Sequence, residues 1–504
     1  MESLSETRWD VIISGTGLQQ SLLALALSRS GKNVLHVDSN SYYGGAEAAL
    51  SLQEADEWAE KHQSTDADRP FAAAQVNRGT EGLSFSRAYS LALAPQLIHT
   101  RSELLSQLVS TKAFRQVEFL AVGSFYIFQP VSDSTPTSTL SRVPSTREDV
   151  FATAAISSQS KRSLMKFLKF VLAYDSEPQT ELWGPKADDK LADFLESEFK
   201  LDRELRSYVI ALTLSLDGKI SVGAGLAAIH RHLTSMGLFG PGFAAVYPKW
   251  GGLSEVAQVG CRAAAVGGAV YMLGTGLSDV QRVPSTRDGE ESELEATLSN
   301  GTVIRAEALV QSSSLPSDAT TAVSRLTAVV ESDLPSMFKA VVDGAPTPCV
   351  AVAAFPPGSI PGVEASEFPA YALVHSDETG ECPSGQCTIY FSTISTPGSK
   401  DLLEAALSSL LAAASADGEQ PKCMYQLYFE QRGGTGSFSA DERIGTFASL
   451  PLDLAFPDSA LSSVKEAWNM VNAGDAGDGI EESYMKFEDR EGAADEDDAF
   501  NVYD

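Results

Sequence analysis

The residues with the clearest chemical potential stand at the start of the chain. Trp9 to Ser14 is an apolar run that ends in Gly15-Thr16-Gly17, and Leu18 to Arg29 follows with apolar residues at helical spacing. Gly31 stops that helix, and Asn33 to Val37 reads as a second strand ending at Asp38. A glycine turn between a strand and a helix offers backbone N–H groups to a pyrophosphate, and an acid about 20 residues on takes a ribose hydroxyl. Gly15, Gly17 and Asp38 meet these requirements. The third glycine is missing: its place is taken by Gln20, whose side chain is expected to obstruct close helix-to-strand packing. The degenerate turn argues for the fold more than for a cofactor, and none is expected to be bound.

No other constellation has the spacing of a reaction centre. The chain has no GxxxxGK[ST] loop, GxSxG elbow or HExxH pair, and no carboxylate pair stands out from the acidic background. Cys261, Cys349, Cys382, Cys387 and Cys423 are odd in number and without zinc-type pairing, which fits a reducing compartment. Cys382 and Cys387 read as loop residues rather than a redox pair. His230 and His232 are two apart on an expected helix, so their side chains diverge and no metal site is expected.

The elements that would position these residues form an α/β protein of more than one domain. The chain has 504 residues, 43% of them hydrophobic, enough for several cores. Its 67 acidic against 37 basic residues give a net charge of −30, which argues against nucleic acid as a partner. Much of the excess falls in an acidic tail, 474–504, expected to be disordered and solvating. The first residues hold no apolar leader and no stretch is long enough to span a bilayer, so a cytoplasmic location is expected. No prenylatable cysteine stands at the C-terminus, so any lipid the protein handles would belong to a partner.

After a strand at Leu120 to Gln129 and a Ser/Thr/Pro-rich linker at Val131 to Leu140, the pattern turns helical at Ser163–Tyr174, Asp189–Phe199, Asp202–Leu214 and Gly223–Met236. Strand-like segments return at Val266–Leu273, Cys349–Phe355, Thr388–Ile394 and Cys423–Phe429. The organisation this implies is a discontinuous α/β domain, 1–142 and 241–473, interrupted by a helical domain at 143–240. The pentapeptide at Val143–Arg147 recurs at Val283–Arg287, but dissimilar flanks make this a coincidence rather than a repeat.

Val34-Leu35-His36-Val37-Asp38 followed by Tyr42-Tyr43-Gly44-Gly45 resembles a signature of the family that contains Rab GDP-dissociation inhibitors and Rab escort proteins. A second block resembles it too: Tyr247-Pro248-Lys249-Trp250-Gly251-Gly252, Glu255, Cys261-Arg262, Gly267-Gly268 and Tyr271-Met272-Leu273. The resemblance runs from about Trp9 to Leu273. It implies a flavin-monooxygenase-like large domain that has lost its cofactor, a small helical domain that holds geranylgeranyl groups, and Rab GTPases in the GDP state as partners. It also implies a Rab-binding platform of Tyr43, Arg87, Glu255, Arg262 and Met272. Taken alone, the same residues allow a plain packing role for Tyr43 and an internal Glu255–Arg262 ion pair on one helix face. The block from Pro248 to Glu255 is one residue longer than in the inhibitors, and Val270 replaces a polar residue.

Within the family, Arg147-Glu148-Asp149-Val150-Phe151 and Lys161-Arg162-Ser163-Leu164 look more like the escort branch. That resemblance implies docking to a Rab geranylgeranyltransferase heterodimer through Phe151 and Arg162, without catalysis by this chain, and transient membrane association on delivery. Eleven residues are almost three helical turns, so one continuous helix would present both side chains on one face. An inhibitor-type carrier and a flavin-dependent oxidoreductase are the competing readings.

Overall fold

The computed structural model describes residues 4–66, 69–79, 81–131, 137–144, 157–284, 292–313, 321–364, 366–415, 420–434, 436–473 and 483–488. Two large sheets organise them. The first has eight strands. Its parallel part runs Val270–Leu273, Val34–Asp38, Arg8–Ser14 and Val303–Ser312, continued by Ile444–Phe447 with Ser439–Asp441 antiparallel beside it, and an antiparallel extension adds Ser292–Leu298 and Leu277–Pro284. Val34–Asp38 is buried along its whole length, as a parallel strand covered on both faces should be.

Helix Leu18–Leu27 follows the first strand and is buried all round, because helices Leu253–Val266 and Ser459–Asn472 enclose it. Its approach to Leu253–Val266 depends on Gly260, where an added Cβ would sit 2.6 Å from the Ser21 carbonyl oxygen. The strand expected from Val266 begins only at Val270, since the 3.6-residue pattern of the preceding helix runs through Val266.

The second sheet has ten strands. Its central run is antiparallel, from Phe71–Arg78 through Cys423–Gly433, Thr321–Val330, Cys387–Ile394 and Ala370–Ser376 to Val350–Phe355. Val350–Phe355 then pairs in parallel with Phe119–Gln129, which is flanked by Thr139–Arg142 and by Ala245–Pro248, with Ile98–His99 beyond the latter. Helix Ser399–Ala414 covers one face, and a helical layer covers part of the other.

That layer contains helices Ser158–Val171, Leu191–Phe199, Arg203–Ala211 and Val222–Ser235. Leu164, Phe167 and Val171 supply a buried stripe at helical spacing on the first of them, and the Ser157 side chain accepts from Ser160 N–H to start it. Asp202 caps Arg203–Ala211 and also accepts from Ser160 Oγ at 2.9 Å, which joins the two helix starts.

Candidate functional site

Three places in this framework bear on function: the glycine turn, the surface above the first sheet, and the space between the helical layer and the second sheet.

At the turn, Gly15 has a φ of 92°, and N–H groups of Thr16 and Leu18 are already engaged by carboxylates. Asp38 Oδ2 accepts from Thr16 N and Thr16 Oγ1, both at 2.7 Å, and Asp38 Oδ1 accepts from Asn40 N. Glu47 Oε2 accepts from Leu18 N at 3.0 Å, at the N-terminus of the first helix. Burial pushes the Glu47 carboxyl up to about 7, with the Leu18 N–H pulling the other way. Gln20 does not obstruct helix-to-strand packing as its position suggested. Its side chain lies across the turn, 3.3 Å and 3.0 Å from where Cβ atoms would stand on Gly15 and Gly17, and donates to Ser312 Oγ. The chain's own amide and carboxylates occupy the place of a pyrophosphate. The residues present do not fit a flavin dinucleotide.

Above the edge of the first sheet, Met272 pairs in register with Val37, and the Tyr43 ring stands 6.2 Å from that of Tyr271. Gly44 follows Tyr43 and packs against the N-terminus of helix Leu253–Val266, where an added Cβ would lie 3.2 Å from Ser254 Oγ. Tyr43 and Met272 are partly buried, whereas Arg262 is exposed. Glu255 and Arg262 sit on the same helix, two turns apart. They form no ion pair within 4 Å among the described residues, although Arg262 draws the Glu255 carboxyl down against the upward push of burial. The internal ion pair that their spacing allowed is therefore not made. Arg87 is exposed in a short 3-10 turn, Ser86–Ala88, and three residues further on Ser90 Oγ donates to the Trp250 carbonyl at 2.9 Å.

That loop is held from below by a network that spacing alone did not suggest. Trp250, Gly251 and Gly252 have φ values of 70°, 114° and 67°, so three successive residues turn in the left-handed half of the map. The Trp250 ring lies over Gly380, and Trp250 N–H donates to the Thr379 carbonyl at 2.9 Å. One residue further on, Glu381 is fully buried; it accepts from Tyr247 Oη at 2.7 Å, His375 Nδ1 at 2.7 Å and Tyr390 Oη at 3.0 Å. A buried carboxylate with three donors is a rigid anchor, costly to break.

Between the helical layer and the second sheet lies an apolar cavity of about 760 Å³. Val122 and Ala245 of the sheet form its floor, and Met165, Leu168 and Leu172 of helix Ser158–Val171 line its wall. The stems of Lys166 and Lys169 line it as well. His232 is a polar exception: burial lowers it to about 4, and its ring packs 5.8 Å from His99 and 5.2 Å from Phe125. His230 instead turns toward Tyr174, 4.9 Å away, so the two histidines diverge, and no metal-binding group of three ligands occurs among the described residues.

Arg162 is exposed on helix Ser158–Val171. That helix starts at its Ser157 cap, so it does not continue back to Phe151, which lies outside the described residues. The common face inferred from their eleven-residue spacing does not follow. Cys382 and Cys387 are both buried; burial pushes the Cys382 thiol up to about 12 and raises that of Cys387. No helix among the described residues is long and apolar enough to cross a membrane.

A two-sheet α/β framework with a self-filled dinucleotide turn and a lateral apolar cavity defines a flavoprotein-like fold. The family model described as GDP dissociation inhibitor matches residues 5–336, and the chain belongs to that family. It is 31% identical to the Rab proteins geranylgeranyltransferase component A of Saccharomyces cerevisiae, over 83% of this chain and 68% of that one. It is 30% identical to the protein of the same name from Candida albicans, over 76% of this chain but only 59% of the relative's length. Among solved structures, a Rab GDI from Plasmodium falciparum superposes with a TM-score of 0.64 over 94% of this chain and 99% of that one, at 18% identity. An oxidoreductase from Methanosarcina mazei superposes with a TM-score of 0.56 over 90% and 99%, at 12% identity. These two likenesses support the α/β, flavoprotein-like fold class and nothing finer.

Proposed function

We propose that this chain is an escort protein: a non-catalytic carrier that holds Rab GTPases in the GDP state, presents them to a Rab geranylgeranyltransferase and keeps the attached lipid out of water. The observation that carries the proposal is the apolar cavity of about 760 Å³ beside a framework whose cofactor turn is filled by its own side chains. Each methylene that leaves water is worth about 0.8 kcal/mol, so a C20 isoprenoid seated there gains on the order of ten kcal/mol gross. The two relatives named component A favour the escort branch over the inhibitor branch.

In this reading Tyr43, Arg87, Glu255, Arg262 and Met272 form the Rab-binding surface, and the Glu381 network fixes the Trp250 loop beside it. An aromatic, charged donors and an adaptable Met are what a protein interface core uses. Arg162, with Phe151, serves the prenyltransferase, and release of the lipidated Rab brings the carrier to a membrane transiently. Reconstituted prenylation tests the reading: lipid transfer to a GDP-loaded Rab should depend on this protein. Arg262→Ala should weaken Rab binding by more than about 1 kcal/mol with the fold intact. Rab binding without support of lipid transfer would leave an inhibitor-type carrier; unchanged affinity of Arg262→Ala would remove that residue from the surface.

A further inference from the structure

The cleft beside the glycine turn has a volume of about 510 Å³ and two unlike walls. On one, Asp38 and Glu47 are bound to the N–H groups of the turn and the first helix. The other wall carries Arg325, from the centre of strand Thr321–Val330, whose neighbours in register are Ser392 and Phe429. A charged residue in the middle of that strand is the one signal of this wall visible in the sequence.

Arg325 is 3% exposed. Its Nε donates to Gln431 Oε1 at 2.7 Å and its Nη1 to Ser392 Oγ at 3.0 Å, and both acceptors are neutral. Nη2 has no hydrogen-bond partner among the described residues, nor has Gln431 Nε2, and both residues line the cleft. Burial lowers the guanidinium to about 10, with no carboxylate opposing it, so it stays charged at neutral pH. Glu293, a buried carboxylate of the first sheet, is treated quite differently: it is met by Arg8 at 2.6 Å and Arg305 at 3.5 Å. A buried ion with neutral partners and no counter-charge is costly, and buried charges are otherwise paired. Nearby Arg432 already has Glu430 at 3.5 Å.

We propose that this cleft binds a small organic oxyanion, a phosphate or a carboxylate, anchored on Arg325 Nη2 and Gln431 Nε2. The carboxylates on the turn wall hold the ligand's charge at the sheet wall, so the anion sits opposite the place where a dinucleotide's pyrophosphate would lie. Nothing in this inference depends on the carrier reading. The cleft volume falls within the range of small-molecule sites.

Calorimetric titration of the full chain with inorganic phosphate, and separately with succinate, in chloride at matched ionic strength tests it. Saturable binding of at least one anion is expected, weakened about tenfold or more in both Arg325→Met and Gln431→Leu. Gln431→Leu keeps the cation and so provides the comparison if Arg325→Met fails to fold. A response to phosphate alone or to succinate alone identifies the head group. No saturable binding of either anion, or binding by Gln431→Leu equal to that of the unaltered chain, overturns the proposal.

Discussion

The turn cleft and the apolar cavity are both sizeable spaces, yet their walls are opposite in kind. On the turn wall of the cleft, the Thr16 and Leu18 N–H groups are met by Asp38 and Glu47 and Gln20 lies across the glycines, so that wall keeps a polar lining that answers to the chain itself. Between the helical layer and the second sheet, Val122, Ala245, Leu168 and Leu172 leave an apolar surface that no described residue fills. The difference teaches where a guest can gain free energy. A polar site whose donors are satisfied internally gives a ligand little, because each bond it makes must displace one already present. An unfilled apolar space gives a hydrocarbon its whole transfer energy.

The contrast can be broken most directly by filling the cavity. Ala245→Trp places a large ring on its floor and is expected to reduce retention of a fluorescent geranylgeranyl probe by about 100-fold or more, given roughly 0.8 kcal/mol per methylene. Overpacking of this kind costs typically 1–3 kcal/mol in stability, so a thermal melt must accompany the binding curve. Undiminished probe retention would place the lipid elsewhere.

The two regions should also respond to pH with opposite sign. Glu47 has its folded-state carboxyl raised from 4.5 to about 7, so the folded chain holds that proton more tightly than the unfolded one. Its contribution favours folding at low pH and is lost as pH rises through about 7. Glu47→Gln should flatten that part of the stability profile. His232 has its folded-state value lowered from 6.5 to about 4, so its contribution is complete above 6.5 and is lost as pH falls toward 4. His99, which faces it, is also lowered by burial and by His232, and acts in the same direction. His232→Phe should therefore remove a rise of stability with pH between about 4 and 6.5, whereas Glu47→Gln removes a fall between 4.5 and about 7; the windows overlap and the signs differ. Denaturant titrations at several pH values, on both variants, check the two signs. If either variant changed the slope with the sign expected of the other, the regions would not be electrostatically separate.

The smallest expected effect is none. Added flavin adenine dinucleotide should leave the melting temperature of the unaltered chain unchanged, because Gln20 and Glu47 stand where the pyrophosphate would bind. A rise that saturates with flavin concentration would show that these side chains yield, and the contrast between the two spaces would fail.

Local physics made much of the framework legible. The opening strand, turn, helix and second strand were readable because their apolar spacing is a property of neighbouring residues, although the helix ends at Leu27, before the expected stop at Gly31. The helices at Leu191–Phe199 and Val222–Ser235 were readable for the same reason, as was the family, whose signature blocks are short and contiguous. Other elements hid in plain composition. Ser399–Ala414 and Ser459–Asn472 are ordinary amphipathic helices whose faces matter only once sheets lie beneath them. Thr321–Val330 and Ala370–Ser376 lie inside a sheet, where alternation fades because both faces are covered.

What only the tertiary structure decided is which side chain meets which. Sequence placed Gln20 in the glycine turn but could not tell that its amide would fold over Gly15 and Gly17 toward Ser312, 292 residues away. It could not pair Glu47 with the N-terminus of the first helix, join Tyr247, His375 and Tyr390 on Glu381, or leave Arg325 with only neutral partners. Helix and strand propensities arise between residues a few positions apart, whereas these contacts join segments that meet only when both sheets are assembled. Whether a buried charge is satisfied, tuned or left waiting is settled by that assembly.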